Sequence, residues 1–256
     1  MTHIHPTALV DKKARLGDNI SIGAFSIVEA DVEIGDNSQI ASHVLVADGA
    51  RIGKNCKIHK GAVVATWPQD LKFAGEPSVF IVGDNTTIRE FCTLNRGTSA
   101  LGKSQVGSDC LLMAYVHVAH DCIVGDHAIL ANGVQLGGHV EIGEWAIIGG
   151  MTPIHQFCKV GQHCMVGGAY RAVQDVPPYI MATGEPLRYA GLNSVGLKRR
   201  GFSSETLSIL KKTYRLIFRS KLNLSQALER IENELDPIPE VKNVIEFVKS
   251  SERGLI

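Results

Sequence analysis

The sequence predicts a mainly β chain: a parallel β-helix of hexapeptide repeats over residues 1–190, with an α-helical domain over 191–256. Three observations carry that prediction. An aliphatic residue recurs at every sixth position, small residues hold a second fixed place in the same repeat, and helical spacing takes over where the repeat stops. The repeat begins at Ile4 and runs through Val10, Leu16, Ile22, Val28, Ile34, Ile40, Val46, Ile52, Ile58 and Val64. It resumes at Val82, Ile88 and Leu94, then continues from Val106 through Val166 to Ala172; of these 26 positions, 25 are Ile, Leu or Val. Six is no helical period, but it accommodates one short strand and one sharp turn. Three such units close a triangular coil, and coils stack at about the 4.8 Å spacing of paired strands.

The rest of the repeat fits a narrow prism. Gly often follows the aliphatic residue (Gly17, Gly35, Gly53, Gly83, Gly107, Gly125, Gly143, Gly149, Gly161), where it is expected to tolerate turn dihedrals. Four residues after the aliphatic comes a small one, such as Ser26, Ser38, Ala62, Thr86 or Ala128. All six cysteines occupy this slot: Cys56, Cys92, Cys110, Cys122, Cys158 and Cys164. With no CxxC pair among them, they read as reduced core filler. Two segments break the pattern, near 66–80 and 99–105, and are expected to leave the prism as loops. Loops on a rigid scaffold are where binding residues concentrate.

Beyond Asp175-Val-Pro-Pro the repeat ends. Ser203 is placed to cap a helix carrying Leu207, Leu210, Tyr214, Ile217 and Phe218. Asn223 with Gln226 marks a second helix reaching Leu235, and Pro237 and Pro239 introduce a third with Val241, Val244, Ile245 and Val248.

Composition excludes several function classes. Twenty-six basic and 26 acidic side chains leave no net charge for a general nucleic-acid role. No uncharged stretch reaches the roughly 20 apolar residues of a membrane helix. The N-terminus, Met-Thr-His-Ile-His-Pro, shows no secretory signal, so a cytoplasmic protein is expected.

A hexapeptide repeat names a superfamily and not a reaction. Motifs placed on it narrow the choice: PQDLKFAGE (68–76), NRGT (95–98), GSDCLLMAYVHVAHDC (107–122), LGGHV (136–140), IIGGMTPIHQFCKVG (147–161), QDVPPY (174–179), GLNSVGLKRRGFS (191–203) and a terminal Arg-Gly-Leu. Together these resemble the UDP-N-acetylglucosamine O-acyltransferases over essentially the whole chain. The resemblance implies a left-handed β-helix assembled as a homotrimer, with active sites between subunits and no cofactor or metal. It also implies transfer of a 3-hydroxyacyl chain from acyl carrier protein to the glucosamine 3-position of UDP-N-acetylglucosamine, the first step of lipid A synthesis.

Such a reaction needs a base for a weakly acidic hydroxyl and a donor for the oxyanion of a tetrahedral intermediate. Histidine suits the first task. Four of the ten histidines, His117, His120, His139 and His155, recur at nearly one-coil intervals and should line one groove. By resemblance His120 is the general base, Asp121 its orienting carboxylate, and the Gly138 N–H the oxyanion donor. His117, His139, His155 and Gln156 match positions holding the sugar, diphosphate or pantetheine arm. Asp70 and Lys72 match positions facing sugar and phosphate, and Asn193, Arg199 and Arg200 a nucleotide-binding stretch. Met165 and Gly168 match the acyl groove, where Gly leaves room for a longer chain. Nine basic residues against Glu205 between Arg188 and Lys221 would suit an acidic carrier protein.

The chain departs from some relatives at Asn95, Val195 and Glu185-Pro186, which bears on the acceptor sugar, 3-hydroxyl or 3-amino, and on chain length. Three alternatives have distinguishing features. A sibling N-acyltransferase would carry an extra N-terminal domain, a zinc carbonic anhydrase would hold metal on three histidines, and a purely structural β-helix would lack both loops and a phased His groove.

Overall fold

A computed structural model describes residues 1–256. Two-residue strands end on the repeating aliphatic residue, as in Ser21–Ile22, Ile27–Val28, Glu33–Ile34 and so on to Met165–Val166. Each pairs in parallel with the strand one coil away, Ser21 with Gln39 and Ile22 with Ile40. Sheets of 11, 8 and 8 strands result, and they form the three faces of a prism. From Ile22 to Val166 every repeating aliphatic residue is at most 4% exposed, whereas Ile4, on the open first coil, is 41% exposed. Burying one such side chain contributes roughly 1.5–3 kcal/mol, so the ladder is the main source of stability.

The small slot also has a bonding role. Ser38 Oγ donates to the Gly53 carbonyl at 2.9 Å and Thr86 Oγ1 to Gly107 at 2.7 Å. The thiols of Cys56, Cys110 and Cys122 reach the equivalent carbonyls of Gly83, Gly125 and Gly137 at 3.1–3.2 Å. Burial pushes Cys92 and Cys110 up to about 11 and Cys122 and Cys164 up to about 12, so these thiols stay protonated.

One expectation is corrected. The left-handed turn residue lies three places after the aliphatic, at Asn19, Phe25, Asn37, His43, Asp121, His139 and their equivalents, and not at the glycine that directly follows it. That glycine is required by close approach. A Cβ on Gly35 would meet the Gly53 carbonyl carbon at 2.7 Å, and one on Gly149 would strike the backbone of Gly168.

The left-handed residues stack along three edges. The edge between the first and second faces carries Phe25, His43, Phe91, Tyr115 and Met151. The edge between the second and third carries Asp121, His139 and Phe157, and that between the third and first carries His127, Trp145, His163 and Tyr179. The excursions are shorter than the sequence suggests, because strands Val63–Thr66, Val79–Val82 and Lys103–Val106 extend into them and pair. Both leave from the second-to-third edge, which is therefore the decorated one.

After the last coil, Ile180–Thr183 and Arg188–Leu192 form an antiparallel hairpin on the 11-stranded sheet. Four helices follow: α1 (Ser194–Arg199), α2 (Ser204–Arg219), α3 (Leu224–Glu234) and α4 (Pro239–Lys249). Ser203 caps α2 through the Thr206 N–H, and Asn223 with Gln226 forms a reciprocal capping box on α3. The hairpin and α1 are not visible in the repeat or in helical spacing. No helix is long and apolar enough to cross a membrane.

Candidate active site

At the second-to-third edge two histidines converge on one carboxylate. Asp121 is 2% exposed and takes the left-handed turn position, with φ of 57°. Its Oδ2 lies 2.8 Å from Nδ1 of His120 and 3.6 Å from Nε2 of His139. Thr98 completes the cradle: its N–H donates to Oδ1 at 2.9 Å and its hydroxyl to Oδ2 at 2.7 Å. Burial alone would raise the Asp121 carboxyl. Hydrogen bonds from His120 and Thr98, with the nearby His139, outweigh it and hold the group below the usual carboxylate range.

The carboxylate accepts, so His120 Nδ1 carries the proton and Nε2 is left with its lone pair directed away from Asp121. Gly138 lies on that side: a Cβ there would come 2.7 Å from His120 Nε2. No backbone carbonyl takes up the Gly138 N–H. The Gly138 backbone thus lies directly beside the proton-accepting side of His120, with its N–H not used by another backbone group. His120, Asp121 and His139 also bring three possible metal-ligand atoms within 4.8 Å of one another. In this structure Asp121 accepts three hydrogen bonds, two from Thr98 and one from His120.

The other expected residues sort by edge. His117, on the second face, contacts Thr93 Oγ1 at 2.8 Å, and burial depresses its pKa. His155 and Gln156 lie one coil beyond Gly137 and Gly138, and Phe157 stacks on His139 with ring centroids 4.5 Å apart. Asp70 and Lys72 sit on the first excursion above this edge, where Asp70 Oδ1 accepts the Lys72 N–H at 3.0 Å. Asn95 anchors the loop by donating to the Trp67 carbonyl at 2.8 Å, and the Ser99 N–H ties the second excursion to it through Glu76 at 3.1 Å.

Asn193, Arg199 and Arg200 lie elsewhere, at the third-to-first edge. Arg200 donates to the Trp145 carbonyl at 3.2 Å and places its guanidinium 4.9 Å from the indole centroid. With Arg199, His163, Phe202 and Trp145 it lines a cleft of about 730 Å³. Burial, followed by the Arg200 charge, pushes His163 down to about 4. Asn193 is 3% exposed, and its amide is engaged within the chain: Oδ1 caps α1 and Nδ2 reaches the His163 carbonyl at 3.0 Å. Met165 lies on the first face and Gly168 at the first-to-second edge, 3.1 Å in Cβ reach of the Gly150 carbonyl. The sequence reading missed Thr98 as the carboxylate's anchor. The NRGT motif held the residue, but nothing in its spacing showed that it faces Asp121.

Comparison with known proteins covers the whole chain. A family model for UDP-N-acetylglucosamine O-acyltransferase, domain 2, matches residues 175–256, and one for bacterial transferase hexapeptide repeats matches 13–48, 31–66 and 103–138. The acyl-[acyl-carrier-protein]–UDP-N-acetylglucosamine O-acyltransferase of Thiobacillus denitrificans is 45% identical over 257 residues, covering 100% of both chains. The chain belongs to the UDP-N-acetylglucosamine O-acyltransferase family. The Chlorobium phaeobacteroides protein of that name is 57% identical over 99% of this chain and 97% of its own. The crystal structure of a UDP-N-acetylglucosamine acyltransferase from Bacteroides fragilis superposes with a TM-score of 0.97 at 43% identity, covering 99% of each chain. Membership of this acyltransferase family, with its hexapeptide repeats, gives the prism its left-handed coil and makes the chain an acyltransferase.

Proposed function

We propose that the chain transfers a 3-hydroxyacyl group from acyl carrier protein to the glucosamine 3-hydroxyl of UDP-N-acetylglucosamine, in the cytoplasm, opening lipid A synthesis. The observation that carries the mechanism is the Thr98–Asp121–His120 chain ending beside the free Gly138 N–H. His120 Nε2 takes the proton of the sugar hydroxyl as its oxygen attacks the thioester carbonyl. Asp121 fixes the tautomer and stabilises the imidazolium, and Gly138 donates to the oxyanion. Collapse of the intermediate breaks the C–S bond, and His120 returns the proton to the departing pantetheine sulfur.

The proposed active unit is a homotrimer with sites between subunits. The base and the arginines occupy different prism edges of one chain, so a single UDP-sugar meets both sets only if a second copy supplies one. An exposed apolar row along the first-to-second edge, Phe25, Phe91, Tyr115 and Met151 at 46–70% exposure, gives such a copy a surface to cover. Carrier protein would dock on the basic cleft of α2, lined by Lys211, Lys212, Arg215 and Arg219. Asp70, Lys72, His117, His139, His155, Gln156, Arg199 and Arg200 hold the substrates in this reading, while Asn193, its amide engaged within the chain, positions α1 and its arginines. Met165 and Gly168 line the acyl groove, whose glycine floor suits a long chain.

The test is acyl transfer from a panel of 3-hydroxyacyl carrier proteins to UDP-N-acetylglucosamine and to its 3-amino analogue. Turnover on the hydroxyl sugar supports the reading, preference for the amine moves the acceptor, and no product with either sinks it. Mixing His120→Ala with Arg200→Ala subunits should restore part of the activity if sites are shared between copies.

A further inference from the structure

The terminal Arg-Gly-Leu belongs to the family resemblance but to none of the steps above. After α4 the chain turns back onto the prism. The Asp175 N–H donates to the Gly254 carbonyl at 2.8 Å, and the Ile256 N–H to the Asp175 carbonyl at 3.1 Å. The Ser251 hydroxyl donates to the buried Asp175 carboxylate at 2.6 Å, whose other oxygen accepts the Lys159 N–H at 2.8 Å. This latch sets the register of the tail and brings Arg253 Nη2 to 3.2 Å from Nδ1 of His155.

That contact has one chemical reading. Arginine only donates, so Nδ1 of His155 accepts and the imidazole proton sits on Nε2. The competing partner, the Gln156 carbonyl 3.1 Å from the same Nδ1, would require the opposite tautomer. Arg253 is exposed and reaches His155 through Nη2, with the Cys158 thiol also beside its guanidinium, so a solvent-facing part of the fork remains for a ligand. His155 stands one coil beyond Gly137, beside the edge that carries His120, and Arg253 reaches it from the tail.

We propose that Arg253 is a further substrate-binding residue: it fixes His155 as an Nε2–H donor and offers its guanidinium to a phosphate ester, on the sugar nucleotide or on the pantetheine arm. The two sources share one chemistry, planar bidentate recognition of phosphate by arginine. The proposal rests on the acyl-transfer reading for its substrates, but the tautomer of His155 does not.

The experiment measures kcat and KM for each substrate in wild type, Arg253→Ala, Arg253→Lys and Ser251→Ala. It also records the long-range ¹H–¹⁵N spectrum of His155 in the unliganded protein, assigned with His155→Ala. Arg253→Ala should raise one KM about tenfold, the size of one lost charge-assisted contact, with a smaller change in kcat. Whichever KM rises, for carrier protein or for UDP-sugar, identifies the phosphate. Arg253→Lys should recover part of the loss, and His155 should pass from a pure Nε2–H form to a tautomer mixture in Arg253→Ala. Ser251→Ala, which loosens the latch that places Arg253 but leaves its guanidinium in the chain, should lower Tm and raise the same KM by a smaller factor than Arg253→Ala does. Equal KM changes in Ser251→Ala, no KM change in Arg253→Ala, or a wild-type His155 protonated on Nδ1 would overturn the proposal. Absence of wild-type turnover would instead sink the acyl-transfer reading, with the spectrum still deciding the Arg253–His155 contact.

Discussion

Two edges of the prism use one backbone slot for opposite electrostatics. Asp121, His139 and Phe157 take φ of 57°, 60° and 64°, and His127, Trp145 and His163 take 58°, 60° and 57°. On the first edge the slot holds a carboxylate that gathers His120 and His139, and histidine faces negative charge. On the second edge it holds rings, with His127 and Trp145 stacked 4.0 Å apart, and His163 faces the Arg200 cation with its Nδ1 buried and unpartnered. The repeat dictates where a side chain is presented, and the neighbours across the turn decide what it can do. The second edge has a carboxylate in the slot as well, Asp109, but it is exposed and 4.0 Å from His127 alone. It is the buried Asp121, shared by two histidines, that separates an edge suited to proton transfer from one suited to packing and anion binding.

The sharpest way to break the comparison is to remove the base. His120→Ala should lower kcat by about 10³-fold with Tm nearly unchanged, whereas His163→Ala should spare kcat far more and lower Tm, read by steady-state kinetics and calorimetry. Next in size is Gly138→Ala. The new methyl would press on the His120 ring at 2.6–2.7 Å, and a loss of about 10²-fold in kcat is expected, while the fold survives because the edge is partly open. Thr98→Val removes the hydroxyl from Asp121 and keeps the shape. A fall of about tenfold in kcat is expected, and an unchanged rate would show that the backbone N–H of residue 98 and His120 orient the carboxylate without the hydroxyl.

A pH titration compares the edges without mutation. The folded-state pKa of His163 is depressed to about 4 from an ordinary value near 6.5. Its contribution to stability is therefore full above about 6.5 and is lost as pH falls toward 4. That loss is of order 1–2 kcal/mol after allowance for partial exposure, or several degrees in Tm. Arg200→Gln should raise the His163 pKa and so make this loss smaller, with its onset near 6.5 unchanged, which NMR titration of the ring and Tm against pH would measure.

Much of the fold was legible because the repeat is a one-dimensional code: Ile22 or Leu130 is buried wherever the coil turns. The capped helices at Ser203 and Asn223 were legible for the same local reason. The sequence reading placed the turn glycines at the wrong kind of constraint, since positive φ and close coil contact both select glycine and only coordinates separate them. It assigned Arg199 and Arg200 to a nucleotide-binding stretch without placing them on an edge, because spacing across the broken repeat cannot say which edge a tail residue meets.

By itself, then, the sequence determined the coil, the inward ladder and the phase that puts His120, His139 and Gln156 along one edge, because each depends on counting residues in a periodic chain. Only the tertiary structure decided that Thr98 holds Asp121, that Arg200 lies over Trp145 and that the C-terminal tail brings Arg253 to His155. Those contacts join segments 23, 55 and 98 residues apart. Contacts of that kind are set by where excursions and the tail re-enter the prism, which no local period records.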